Sequence, residues 1–255
     1  MKIFLVVVLT FITTTAALAQ TDSTHLKKDS IPHNTQPAKK NLSQKLLGTG
    51  PADHFVIQFG YAGWSNAPDS IITTGFSRSF NFYFMLNFPF ASDPRLSVGA
   101  GLGVGWANIF FDKQEVLITA QNPTLAFPNQ AASNHFKKYK LVSSFLDIPL
   151  ELRFALDPEH MNSTWKFAIG TKVGLLLSTY TKAKNLENAQ NQALNDYIEK
   201  EKANKYFNSY QLAATFRVSY GVIGIYGQYQ LTPIIKSAAG PNIYPYEIGI
   251  VISGL

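Results

Sequence analysis

Apolar and polar side chains alternate with a period of two over most of the chain after residue 54. In the clearest segment, residues 76–90, seven even-numbered positions carry phenylalanine or leucine, while serine, asparagine and tyrosine dominate the other face. A helix with 3.6 residues per turn would scatter these phenylalanines around its axis. The pattern therefore predicts one long strand.

The same period recurs in seven further segments, which gives an even number of strands, as single-chain bacterial barrels require. The eight predicted strands are residues 54–64, 76–90, 96–106, 140–156, 164–180, 210–220, 222–231 and 244–254. Long and short connections alternate between them without exception. This alternation is typical of an up-and-down antiparallel barrel with short periplasmic turns at one end and longer surface loops at the other.

Alternation by itself fits both a membrane barrel and a soluble barrel with its apolar side inward, and the polar face decides between them. That face carries the glycine stripe 99–105, serines, glutamines and a few well-spaced ions, which would make a poor solvated surface. We therefore predict an all-β, eight-stranded transmembrane barrel whose apolar face meets lipid. A Lys or Arg on the lipid face at the midplane would cost about 2–4 kcal/mol.

Continuing the period puts seven ionisable side chains on the inner face, where three acids and four bases can pair with one another. We predict that they form a structural polar network inside the barrel: Asp147, Glu151, Arg153, Lys166, Lys172, Arg217 and Glu247. On the same face Pro149 lacks a backbone donor and predicts a bulge or local bend.

The N-terminus has the features of a secretory signal peptide: Lys2, a short apolar core, and Ala17-Leu18-Ala19 as a cleavage site. We expect cleavage after Ala19 and export to the outer membrane. The predicted organisation is a signal peptide at 1–19, a flexible periplasmic tail at 20–53 and the barrel at 54–255.

Composition agrees with this assignment. Charged residues make up only 15% of the chain, against about 25% in soluble domains. Aromatic residues reach 13%, which suits strands and lipid interfaces. The absence of cysteine excludes disulfides, thiolate metal sites and an acylated cysteine anchor. The net charge of +6 is not gathered into a basic patch interleaved with aromatics, so no nucleic-acid partner is expected.

Three short segments resemble PorT-type outer-membrane β-barrel proteins: Phe145-Leu146-Asp147-Ile148-Pro149-Leu150-Glu151-Leu152, Tyr226-Gly227-Gln228-Tyr229, and Gly240-Pro241 leading into Tyr246-Glu247-Ile248-Gly249-Ile250. The resemblance covers residues 54–255 and implies an outer-membrane barrel of OmpA/OmpX-like size. Named members of that family have been linked to protein secretion.

No catalytic, cofactor or metal constellation emerges from the sequence. The five histidines lack partners at motif spacing, and Asp147 with Glu151 fits an interior ion-pair network better than acid–base catalysis. One segment, residues 185–205, has apolar residues at helical spacing after Asn185 and predicts a short surface-loop helix. Its Lys200, Lys202 and nearby Lys205 form a solvated basic face or touch lipopolysaccharide phosphates.

The expected function is that of a non-enzymatic outer-membrane barrel with a side-chain-filled lumen: structural, adhesive, or part of a secretion or envelope complex. The alternatives are a small transport pore, a lipid-modifying enzyme that would use His135 and the adjacent loop serines, and a soluble periplasmic barrel for an apolar ligand. No cofactor is expected. The expected partners are outer-membrane lipid, lipopolysaccharide and other envelope proteins. The chain is expected to be a monomer.

Overall fold

The computed structural model describes residues 54–74 and 76–254, and within them nine strands form one antiparallel sheet. The predicted signal peptide and periplasmic tail lie outside the described residues. The strands are β1 (Phe55–Ser65), β2 (Arg78–Pro89), β3 (Leu96–Phe111), β4 (His135–Ala155), β5 (Trp165–Glu187), β6 (Ala193–Lys202), β7 (Tyr210–Tyr220), β8 (Ile223–Gln230) and β9 (Tyr244–Ser253).

Eight of these strands close into a ring. The order β4-β3-β2-β1-β9-β8-β7-β5 is joined end to end by the pairing of β4 with β5. First and last strands meet in β1–β9, with Val56 opposite Ser253 and Ser65 opposite Tyr244. The eight predicted strands are thus confirmed, and closure leaves no free edge within the ring.

The ninth strand corrects the sequence analysis, because the predicted helix at 185–205 is wrong. Residues 193–202 form β6, which runs antiparallel to the far end of β5. Asn188 closes the connecting turn by accepting backbone N–H groups from Gln190 and Gln192 at 3.0 and 2.9 Å, while Asn191 adopts φ 61°. Within the described residues the only helical turn is the 3-10 segment Met161–Ser163.

Side chains alternate across the ring as the period predicts, with apolar groups outward. The outward-facing apolar side chains are called the belt and include Phe59, Phe84, Leu102, Leu150, Ile169, Phe216, Ile225 and Ile250, all of which are exposed. The inner face is buried and largely polar. This is the reverse of a soluble barrel, in which the apolar face would be enclosed.

Strands β3, β4 and β5 continue past the ring at the long-loop end, farther than the sequence predicted. β5 pairs with β7 through Leu175 and then, from Tyr180, with β6. A β-bulge separates the two parts, since Phe145 faces Leu176 whereas Ser144 faces Ser178. Leu177 is the extra residue, and bulges of this kind are frequent at barrel rims.

Pro149 does not produce the predicted bulge. The β3–β4 ladder keeps one register on both sides of it, with Ala100 opposite Leu150 and Gly103 opposite Asp147. No pair is formed at the two positions between them, because proline has no N–H to donate. The irregularity lies instead at the Ser144/Phe145 step.

Candidate functional site

The interior of the ring is the candidate site, and all seven ionisable residues singled out in the sequence are buried there. Asp147 is fully buried, Lys172 is 2% exposed, and Glu151, Arg153, Lys166, Arg217 and Glu247 are between 4% and 8% exposed. These seven side chains and the neutral groups that bond to them are called the lumen network. Six of the seven fall into three groups, each held by residues from several strands, and Lys166 is buried beside them.

Asp147 is the centre of the first group. Its Oδ2 lies 3.1 Å from Lys172 Nζ and accepts a hydrogen bond from the Tyr83 hydroxyl at 3.3 Å. Its Oδ1 accepts from Gln211 Nε2 at 2.7 Å, and Gln211 lies on β7, on the other side of β5. Lys172 also donates to Gln228 Oε1 at 2.8 Å. An enclosed charge pair with every partner in reach satisfies the condition under which burial is tolerated.

Glu151 forms the second group with two guanidinium groups. Arg153 Nε lies 2.8 Å and Arg217 Nη2 lies 2.9 Å from the same oxygen, Glu151 Oε2. Arg217 comes from β7, so this pair joins two strands that lie on either side of β5. The two arginines together fill the short-turn end of the barrel with cationic groups.

Glu247 holds the third group through neutral donors. Asn81 Nδ2 donates to Glu247 Oε2 at 2.8 Å, and the Tyr226 hydroxyl donates at 3.3 Å. The same hydroxyl lies 3.0 Å from Ser79 Oγ. The two buried tyrosines, Tyr83 and Tyr226, were not singled out in the sequence, because tyrosine is equally common on lipid-facing positions.

The glycine stripe on β3 provides room for these side chains. A Cβ built on Gly99 would lie 2.5 Å from Arg153 Nε, and one on Gly105 would lie 2.6 Å from Asn81 Oδ1. A Cβ on Gly101 would collide with the Met85 sulfur. Any side chain on this stripe would therefore displace the lumen network, which explains glycine at alternate positions of one strand.

Above the network, the four long connections pack into a second, apolar core that the sequence analysis did not predict. We call this cluster the cap. Its buried members are Ala62, Ile71, Ile109, Phe111, Val116, Ile118, Leu125, Tyr139, Leu141, Ala183, Tyr206, Phe207, Ile234, Ile235, Ala239 and Ile243. They come from the upper ends of the strands and from every long loop.

Hydrogen bonds tie the loops of the cap together. The Tyr206 hydroxyl lies 2.6 Å from the Ala120 carbonyl and 2.8 Å from that of Asn122. The Tyr139 hydroxyl donates to the Val116 carbonyl at 3.0 Å and accepts its N–H at 3.1 Å. Burial raises the pKa of Tyr139 to about 12, so the hydroxyl stays protonated and able to donate at neutral pH.

Little space remains between the network and the cap. A cavity lined by Asp147, Lys172, Gln211 and Glu247 below and by Ile109 and Ile234 above has a volume of about 20 Å³. That volume holds about one water molecule. This cavity is therefore too small for a small organic molecule.

His135, the histidine that the sequence offers for an enzymatic role together with adjacent loop serines, is buried at the start of β4. Its Nδ1 contacts the Ser133 carbonyl oxygen at 3.1 Å. Over residues 54–74 and 76–254, no cluster of three histidine or acidic side chains is arranged to hold a metal ion. In the same ranges, no helix is long and apolar enough to cross a membrane.

Comparison with known proteins identifies the architecture. The family model described as outer membrane protein beta-barrel domain matches residues 51–236, well over half of the chain. No curated protein matches the sequence significantly.

Solved structures give two further similarities. Ail, the attachment invasion locus protein of Yersinia pestis, is 10% identical, and the match covers 78% of this chain and 95% of Ail at a TM-score of 0.32. Neisserial surface protein A is 13% identical, and the match covers 79% and 97% at a TM-score of 0.33.

Proposed function

Since the chain belongs to the outer membrane protein β-barrel domain family, we propose that it is a closed, non-enzymatic barrel that holds its cap at the cell surface. Its role is structural or adhesive, or that of a component of an envelope complex. The finer resemblance to PorT-type proteins stays a prediction.

The filled interior is the observation that carries this proposal. An ion crossing the barrel would meet the Glu151 group, then the Asp147–Lys172 pair, then the apolar cap. Eight strands enclose a lumen just wide enough for side chains to fill it, and here about 20 Å³ is left over. This argues against a small transport pore.

Two other observations support the non-enzymatic part. The contact of His135 Nδ1 is with a backbone carbonyl, which supplies neither a nucleophile nor a carboxylate. The polar side chains around Asp147 bond to one another, and the cavity that they line, of about 20 Å³, is too small to admit a substrate. The expectation of a soluble carrier for an apolar ligand is disfavoured by the outward belt and the polar interior.

Single-channel recording in planar bilayers tests the proposal. We expect no steady conductance from the wild-type chain, from Ile235→Ser, which loosens the cap, or from Asp147→Ser with Lys172→Ser, which thins the network. The combined variant opens two of the three layers and leaves the Glu151 group in place, so it is expected to leak more ions than either change alone. A large, steady conductance from the wild-type chain would overturn the proposal in favour of a transport pore.

A further inference from the structure

Three lysines stand in one row across the extension above the ring. Lys140 on β4 lies directly opposite Lys182 on β5, and Lys182 lies directly opposite Lys200 on β6. We call these three residues the lysine row. Directly opposed residues of antiparallel strands have Cβ atoms about 5 Å apart, and like charges at that distance destabilise a sheet. An anion bound beside the row would relieve this repulsion.

More positive charge surrounds the lysine row on the same face. Lys138 pairs with Lys184 in the next row, and Lys202 and Arg78 flank it on the side nearer the belt. Across the described residues, none of these seven cations forms a salt bridge.

The contacts that these cations do make are with neutral groups. Lys140 Nζ donates to Asn108 Oδ1 at 2.7 Å, and Lys200 Nζ stands 4.2 Å from the centre of the Tyr180 ring. Arg78 lies over Phe76 and Phe110. Burial, followed by the charges of Lys182 and Arg78, lowers the pKa of Lys140.

Two of the three acids of β6 point the other way. Glu199 and Glu201 lie opposite Ala183 and Thr181, whose side chains are buried toward the cap, and Glu201 accepts a hydrogen bond from Thr119 there. The two acids that alternate with Lys200 and Lys202 on β6 therefore lie on the inner face, and the lysines lie on the outer one. The third acid of the strand, Asp196, is four residues from Lys200 and forms no salt bridge with the lysine row.

The face that carries the lysine row continues the belt. On β4 the alternation that places Leu152, Leu150 and Ile148 outward continues without a shift up to Lys140, although Ser144 and Val142 between them are covered by neighbouring side chains. On β5 the last outward apolar residue, Leu177, is five residues from Lys182. That spacing corresponds to roughly 12 Å of height at the usual strand tilt. The lysines thus stand just above the hydrocarbon, on the side that faces lipid.

We propose that the lysine row binds the phosphate groups of lipopolysaccharide in the outer leaflet. A phosphate that bridges neighbouring ammonium groups converts their mutual repulsion into charge-assisted hydrogen bonds. The lipid source is favoured because the row lies on the lipid-facing side above the belt, where phosphates on the sugar headgroup come within reach. This site rests on the family assignment and the position of the row, and does not depend on whether the lumen conducts.

Titration of labelled lipopolysaccharide into the full chain, folded in lipopolysaccharide-free zwitterionic micelles, tests the site. The variant Lys140→Gln/Lys182→Gln/Lys200→Gln is compared with Lys113→Gln/Lys137→Gln/Lys236→Gln, which loses the same charge elsewhere. At about fivefold per lysine, the row variant should bind roughly 100-fold more weakly, while the control stays within twofold of wild type. Heat-modifiable gel migration verifies that both variants are folded.

Each other outcome overturns the proposal in its own way. Equal weakening in both variants would mean attraction by net charge alone, and no weakening in either would mean a merely solvated face. If dephosphorylated lipopolysaccharide bound equally well, the row would not recognise phosphate. If phosphatidylglycerol vesicles bound equally well, the row would bind any anionic lipid rather than lipopolysaccharide.

Thermal unfolding gives a second test, because a surface that does not bind lipopolysaccharide would show no change of melting temperature when the lipid is added. Without lipopolysaccharide, the row variant should melt at a higher temperature than wild type, because three opposed charges are gone. With lipopolysaccharide, wild type should gain stability while the row variant gains little. A wild-type melting temperature that is indifferent to lipopolysaccharide would contradict the site.

Discussion

The lower and upper halves of strand β4 have opposite polarity, although they belong to one continuous strand. In the lower half Asp147 points inward and Ile148 outward; in the upper half Leu141 points inward and Lys140 outward. The ring therefore encloses ions and exposes apolar groups, whereas the cap encloses apolar groups and exposes ions. The level at which the polarity inverts marks the boundary of the hydrocarbon.

The inversion follows from what lies outside the protein. Lipid surrounds the ring, so its apolar side chains gain nothing by turning inward, and polar groups must find partners in the lumen. Water surrounds the cap, so burial of apolar surface drives its packing. β5 achieves the inversion with the Leu177 bulge, because the extra residue shifts which positions face in: Lys172 below the bulge is buried, while Lys182 above it points out.

Breaking a charge pair in the ring should lower the free energy of unfolding more than any other change considered below. Asp147→Asn keeps the shape of the side chain but leaves Lys172 as an unpaired buried charge, so we expect a loss of about 3–5 kcal/mol. Adding Lys172→Met should restore most of the lost stability, because it removes the unpaired charge. Urea unfolding of protein refolded into vesicles, followed by gel mobility, gives the free energy.

The exposed pair Arg95–Asp93, in the turn after β2, is the matched control. Its N–O distance of 2.9 Å is as short as those in the lumen. Arg95→Gln should nevertheless leave the free energy of unfolding nearly unchanged, because water screens the pair. If Asp147→Asn cost no more than Arg95→Gln, the lumen would be wet and the contrast between ring and cap would fail.

The next largest loss of stability should come from truncating a side chain in the apolar core of the cap. Ile235 is fully buried, and Ile235→Ala should destabilise the cap by about 2–5 kcal/mol. Ile250→Ala in the belt should cost much less, because lipid fills the space. Limited proteolysis of the long loops should speed up for the first variant alone, with heat-modifiable migration unchanged. Loss of the folded band in Ile235→Ala would mean that cap and ring unfold together.

The ring could be predicted because each of its strands carries its own signal. Alternation over eight segments gave their number and order, and the polar face of the strands named Asp147 and its partners before any contact was known. Membrane barrels make this possible, since the same rule applies to every strand between the two interfaces.

The cap and β6 could not be predicted, because neither is encoded locally. The cap assembles apolar residues from four loops that show no common period, such as Val116 and Ile235. β6 consists largely of good helix formers, so its intrinsic preference is helical. Pairing with β5, whose edge becomes free where β7 ends, overrides that preference.

Two leucines allow the boundary itself to be located. Leu150 in the belt and Leu194 on β6 have the same exposed fraction, 51%, yet different surroundings. Leu150→Lys should cost about 2–4 kcal/mol by placing a charge in lipid, whereas Leu194→Lys should stay within about 0.5 kcal/mol. The same unfolding measurement in vesicles compares them. Equal costs would mean that β6 also lies in the hydrocarbon.

The smallest expected change in stability concerns Glu115, a half-buried carboxyl at the edge of the cap. Partial burial, with the charges of Glu199 and Glu201, raises the pKa of Glu115. A carboxyl whose folded pKa is raised stabilises the fold at low pH, and that contribution is lost as the pH rises through the folded value. Glu115→Gln should therefore stabilise the cap at pH 7 by up to about 1 kcal/mol after allowance for solvent screening.

Below the usual glutamate range near pH 4 the gain should vanish, because Glu115 is then neutral in both states. Hydrogen exchange of the loop amides at both pH values measures this, and a gain that persisted at low pH would trace the effect to packing rather than charge.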